Sequence, residues 1–138
     1  MKFNRKLKSV TMGLIVTLAV GGMVGCSSKP EDNSNIYKDI DGAKTVKLIE
    51  DTKDILILDV RTAEEYETGH ILNAINMPLE EVEDRMNEID TYKDKTVVAY
   101  CKTGNRSGKA GKILGENGFK DVYNAADGVE EFDYELVK

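Results

Sequence analysis

The sequence is short of the residues on which several function classes depend. Among 138 residues there are two cysteines, Cys26 and Cys101, one histidine, His70, and no C-x-x-C motif. Without that motif a thioredoxin-like reductase is not expected. The one long apolar run, residues 10–25, is sixteen residues long, short of the roughly 20 that a membrane-spanning helix needs. From Ile36 onward the chain has no internal repeat and no low-complexity block. Cations are outnumbered: 19 Lys and Arg face 25 Asp and Glu, and the first nine residues hold four of the cations and no acid. Without residues 1–25, fifteen basic and 25 acidic side chains remain, a net charge of −10. Such a surface keeps a domain soluble and disfavours nucleic acid and anionic lipid as partners.

The cationic start followed by "VTMGLIVTLAVGGMVG" has the form of a signal peptide. Immediately after it, "MVGCSS" resembles the lipobox of bacterial lipoproteins, with Gly25 before Cys26 and a departure at Met23, where that family usually has Leu. The resemblance implies removal of residues 1–25, diacylation of Cys26 as the new N-terminus, and an extracytoplasmic protein anchored to the bacterial cell membrane. Residues 27–35, "SSKPEDNSN", are polar and without apolar period, so residues 26–35 read as lipidated cysteine plus tether. With Cys26 acylated, Cys101 has no partner within the chain, and a disulfide scaffold is excluded.

Residues 36–138 alternate short apolar runs with helical patterns, which predicts one α/β domain: a mainly parallel five-stranded sheet flanked by helices on both faces. The expected strands are 36–40, 55–60, 74–77, 96–100 and 121–125. The second and fourth are nearly continuous apolar runs, as strands buried on both faces should be. Val46 and Ile49 can face the core from one helix, and Leu79, Val82, Met86 and Ile89 form an apolar stripe along another. Thr62 and Glu65 have capping-box spacing, so a helix should begin just after the strand that ends at Val60. A third helix should start near Arg106, with Gly108, Gly111 and Gly115 on one side for close approach to the sheet and Gly118 as its cap.

The stretch "VVAYCKTGNRSGKAG", residues 97–111, places Cys101 where a buried strand runs into a glycine-containing loop and then a helix. In open parallel sheets, sites form outside the carboxyl ends of strands. Backbone N–H groups of such a loop, with the positive end of the next helix, can surround one atom and stabilise negative charge on it. A thiol so placed has a lowered pKa. Arg106 would add a fixed positive charge and Lys102 a second, while Gly104 provides a turn that a side chain would obstruct. A buried, inert cysteine at a strand end is the plainer alternative.

Three segments in order, "LILDVRTAEEYETGHILNAINMPL" (56–79), "YCKTGNRS" (100–107) and "GFKDVYNAADGVEEF" (118–132), resemble a single-domain rhodanese-like sulfurtransferase over residues 36–132. The resemblance implies that Cys101 carries sulfur as a persulfide and that the backbone of Lys102, Thr103, Gly104, Asn105 and Arg106 cradles it. Asp59, Arg61 and His70 fall on the family's "DVR...GH" signature. Asp59 and Arg61 are candidates to orient the loop or to form a plain salt bridge. His70 reads as structural, because a loop-activated thiolate needs no base. The departures are Ala126-Asp127-Gly128 for the usual "GG" pattern and Phe132 where tryptophan is common. The implied reaction moves sulfane sulfur from a small donor such as thiosulfate to cyanide or a thiol, with no metal or organic cofactor. No nucleic-acid partner is implied, and a monomer is expected. Two rivals share the fold. One is a binding module that has lost activity, whose usual mark is a replaced cysteine. The other is a phosphatase or arsenate reductase, whose loop holds five residues between cysteine and arginine where this one holds four.

Overall fold

The two most apolar runs become the centre of a parallel sheet. β2 (Leu56–Asp59) and β5 (Thr96–Tyr100) lie side by side, with Leu56 opposite Val97 and Asp59 opposite Tyr100. All their residues are buried except the partly exposed Thr96. The structure, a computed structural model, describes residues 36–138; the expected signal peptide, Cys26 and the tether lie outside the described residues. β6 (Asp121–Ala125) joins the free side of β5 and β1 (Lys38–Ile40) joins β6, while β4 (Ile75–Asn76) joins β2. Every pairing in this five-stranded sheet, of order β1-β6-β5-β2-β4, is parallel. The edge strands are shorter than the sequence pattern suggests, and the three central ones match it closely.

Successive side chains of a strand point to opposite faces, and two cores result. Leu56, Leu58, Val97, Ala99 and Cys101 pack on one side with Ala110 and Leu114 of α3 (Asn105–Glu116). Ile57, Val98 and Tyr100 pack on the other with Val46 and Ile49 of α1 (Gly42–Asp51) and Tyr66 of α2 (Ala63–Thr68). Helices therefore cover both faces, as a parallel sheet requires. α2 starts on the expected capping box: Glu65 N–H donates to Thr62 Oγ1 at 3.2 Å, and Thr62 N–H donates to Glu65 Oε2 at 3.0 Å. Past the end of α3, Gly118 takes φ +92°.

Two expectations need correction. The stripe of Leu79, Val82, Met86 and Ile89 is not on an α-helix: Leu79 opens a 3₁₀ turn, Leu79–Glu81, that Val82 caps, and Met86 and Ile89 lie on a second, Met86–Tyr92. Within each turn the paired positions are three apart, a spacing that suits a 3₁₀ turn as well as an α-helix. Bonds from Met77 N–H to Asp59 O and from Leu79 N–H to Val60 O hold the chain to the end of β2, so the first turn begins against the sheet. Likewise, only Gly108 of the α3 glycines faces the sheet, where an added Cβ would lie 3.3 Å from Asn124 Nδ2; Gly111 and Gly115 instead admit Tyr37 and Ile36, which lead into β1. A further feature is a small antiparallel pair, β3 (His70–Ile71) with β7 (Leu136–Val137).

Candidate active site

Cys101 is the first residue after β5, and its side chain is buried. Three residues later Gly104 adopts φ +85°, a conformation in which glycine alone is unstrained, and the chain turns into α3. That turn brings backbone donors back to the sulfur. Gly104 N–H donates to Cys101 Sγ at 3.2 Å and Ser107 N–H at 3.4 Å, with Ser107 Oγ at 3.3 Å. Ser107 is the third residue of α3, where helix geometry leaves the N–H without an intrahelical partner. Burial by itself pushes the Cys101 thiol up. Hydrogen bonds from the hydroxyl and N–H of Ser107 and from the N–H groups of Thr103 and Gly104 outweigh it, and the thiol ends below its ordinary value. Sγ thus sits in a ring of donors suited to a sulfur anion.

The cradle is clamped from behind by the segment after β6. Val129 N–H donates to Cys101 O and Glu130 N–H to Lys102 O, both at 3.0 Å. This contact is possible only because Gly128 has no side chain: a Cβ there would stand 2.2 Å from the carbonyl carbon and oxygen of Lys102. Gly104 meets Ala126 O in the same way. Asp127 accepts from Gly42 N–H at 2.9 Å, and the ring of Phe132 covers Gly42, which ties the clamp to the start of α1. The residues that depart from the family pattern, Ala126 to Gly128 and Phe132, therefore still form a continuous backing for the loop.

Each charged residue expected at the site has a carboxylate of its own. Arg106 forks onto Glu65, Nη1 to Oε2 at 2.9 Å and Nη2 to Oε1 at 3.1 Å, and this bonding holds the Glu65 carboxyl below its usual range. Arg106 makes no bond to sulfur, yet its charge is close enough to the Cys101 thiolate to be stabilised by it. Lys102 Nζ lies 3.7 Å from Glu130 Oε1 at the surface. Arg61 and Asp59 form a buried pair, Nη2 to Oδ2 at 2.7 Å and Nε to Oδ1 at 3.0 Å, and Arg61 also donates to Gly69 O. Asp59 in turn accepts from Tyr100 Oη at 2.8 Å, and Tyr100 Oη accepts from Ile71 N–H at 3.0 Å. Burial, first, and the neighbouring Asp59 raise the Tyr100 hydroxyl pKa, so it remains a donor at any ordinary pH. Asp59 and Arg61 thus anchor the residue before Cys101 and make no direct bond to the loop. His70 stacks on Tyr66 with ring centroids 3.7 Å apart, and its Nδ1 lies 3.0 Å from Tyr66 O. That is a structural setting, and the imidazole makes no bond to Cys101.

Ser107 lies just outside the cradle expected from the sequence. Its signal was present: a hydroxyl residue at the third helical position, one turn beyond the loop, points an N–H and an Oγ at whatever precedes the helix. Asn105 opens α3, and the bonds to Sγ come from its neighbours. Among the described residues, no group of three His, Cys, Asp or Glu side chains is placed to hold a metal ion. An apolar cavity of about 490 Å³, lined among others by Val46, Ile49, Ile55, Leu72 and Val137, lies at the opposite, amino end of β2. It contains none of the cradle residues.

Known proteins are similar to this chain in sequence and fold. Thiosulfate sulfurtransferase PspE of Escherichia coli (strain K12) is 44% identical over 68 residues, covering 49% of this chain and 65% of that protein. A tRNA uridine(34) hydroxylase of Cytophaga hutchinsonii is 32% identical over 119 residues, 78% of this chain and 38% of that one. The chain therefore spans less than two thirds of the length of these relatives. Among solved structures, a rhodanese-like domain protein from Staphylococcus aureus superposes with a TM-score of 0.64 at 31% identity, covering 72% of this chain and 96% of that one. Residues 42–135 match the family described as Rhodanese-like domain, and the chain belongs to that family.

Proposed function

We propose that this protein is a sulfurtransferase in which Cys101 carries sulfane sulfur as a persulfide. The observation that carries the reading is the set of three donors on one buried sulfur. The Cys101 thiolate attacks the outer sulfur of a donor such as thiosulfate; the new S–S bond forms as the old one breaks, and sulfite leaves with the bonding electron pair. An acceptor, cyanide or a thiolate, then attacks the outer sulfur of the persulfide, and the Cys101 thiolate is released. Negative charge shifts by one atom in each half-reaction, and the N–H groups of the loop and Ser107 are already oriented to receive it. The loop holds four residues between Cys101 and Arg106, a cradle better matched to one sulfur atom than to a tetrahedral phosphate or arsenate.

The relationship to PspE supports this reading. The similarity to tRNA hydroxylases covers only part of those enzymes, and a chain whose residues 26–138 carry a net charge of −10 is a poor partner for RNA. We further propose that Cys26 is lipidated and holds the domain outside the cytoplasm, at the membrane face. A nine-residue tether spans about 15 to 18 Å on average, and two acyl chains suffice where one is marginal. The test of the activity is thiocyanate formation from thiosulfate and cyanide by the soluble domain. Turnover that disappears in Cys101→Ser supports the sulfurtransferase; no turnover in the wild type with any sulfane donor would leave a binding module.

A further inference from the structure

Three of the cations in or near the cysteine loop are already occupied. Arg61 is paired with Asp59, Arg106 with Glu65, and Lys102 with Glu130. The formal charge of this group is therefore zero, on a chain with a marked acidic excess. Bidentate pairing leaves Arg106 neither Nη free of Glu65, so a small anion must compete with a well-placed carboxylate for it. The two outer carboxylates are set by backbone geometry, not by chance. Glu65 accepts from Thr62 N–H in the α2 capping box, and the Glu130 N–H is bonded to Lys102 O. Both reach solvent, with side chains 34% and 55% exposed, so each neutralises its cation where a donor arriving from solvent would feel it, within a Debye length of about 10 Å.

Building on the sulfurtransferase reading, we propose that Glu65 and Glu130 determine donor specificity, selecting a persulfide carried on a molecule of zero or positive net charge over a free dianion such as thiosulfate. The physical basis is that the energy of a donor in this field scales with its charge. With both carboxylates in place the pairs offer a dianion no net attraction; removing one leaves a net charge of +1, which attracts a dianion twice as strongly as a monoanion and a zwitterion with an ammonium group not at all. The transfer from such a donor, R–S–SH, balances without a further reactant: the Cys101 thiolate takes the outer SH group, and R–S⁻ leaves with the electron pair of the broken S–S bond.

The test compares the rates at which thiosulfate and cysteamine persulfide load Cys101, followed by intact mass, in the wild type, Glu65→Gln and Glu130→Gln. Glutamine at position 65 keeps the shape and the hydrogen-bonding oxygen of the cap. Each substitution should raise the thiosulfate-to-persulfide rate ratio by about three- to tenfold at low ionic strength. The gain should shrink in high salt. An unchanged ratio in both variants, or an equal rise for both donors, would overturn the proposal, since an effect on the thiol itself moves the two donors together. Failure of both donors to load Cys101 in the wild type would instead remove the sulfurtransferase reading beneath it.

Discussion

Replacing Gly128 with alanine tests whether the segment behind the loop holds the cradle in shape. Gly128 is not among the glycines with positive φ, so alanine can adopt its backbone conformation and the only obstacle is space. The new Cβ would stand 2.2 Å from the carbonyl carbon and oxygen of Lys102 and 2.5 Å from Thr103 N. Those are backbone atoms, which cannot rotate away, and an ordinary contact needs roughly 1 Å more. Opening the gap strains or breaks the bonds from Val129 N–H to Cys101 O and from Glu130 N–H to Lys102 O. Overpacking of this kind costs about 1–3 kcal/mol, and two hydrogen bonds add about 0.5–1.5 kcal/mol each. A total of about 2–6 kcal/mol lowers the melting temperature of a domain this size by about 10 to 40 °C. Turnover measured where the variant is still folded should fall about 100-fold, because the displaced N–H groups no longer converge on Sγ. Circular-dichroism melting with the thiosulfate–cyanide assay reads both effects. A variant that melts with the wild type and turns over equally would refute the role given to this contact.

Ser107→Ala removes the hydroxyl at 3.3 Å from Sγ, and the pH profile of iodoacetamide alkylation should move upward, with a loss of up to about tenfold in rate at neutral pH. Stability should depend on the same thiol. Its pKa is lower in the folded chain than the ordinary 9.0, so between the two values the unfolded chain binds more protons and stability rises with pH. Relative to Cys101→Ser, the reduced wild type should therefore gain stability as pH approaches 9 and lose the gain as pH falls through the folded value; parallel curves would contradict this. Arg61→Met leaves Asp59 buried without its cation and should destabilise by about 3–5 kcal/mol in urea unfolding.

Much of this architecture was legible because it rests on local signals. Apolar runs marked the buried central strands, and the Thr62–Glu65 spacing marked the start of α2. The edges were less so: β1 and β4 are trimmed because an edge strand is paired on one side only, and a two-residue pair such as β3 with β7 has no periodicity to detect. Between Leu79 and Tyr92, apolar positions three apart satisfy both geometries, so the spacing does not distinguish an α-helix from 3₁₀ turns. At the site, Cys101 and Gly104 stood out by type and position. What the sequence concealed was pairing across the fold. That Glu65 would meet Arg106, 41 residues away, and that Tyr100 would hang on Asp59, depends on the order of strands. Gly128 was visible only as a departure from a pattern, and its meaning comes from the backbone it touches.

The central claim is that Cys101 carries sulfur, and intact-mass spectrometry of the purified domain after treatment with a sulfane-sulfur donor tests it most directly. The account predicts a mass gain of one sulfur atom, located at Cys101 by peptide mapping, reversed by cyanide and absent in Cys101→Ser. A domain that remains unmodified with every donor while correctly folded, or one that gains sulfur equally in Cys101→Ser, would contradict it.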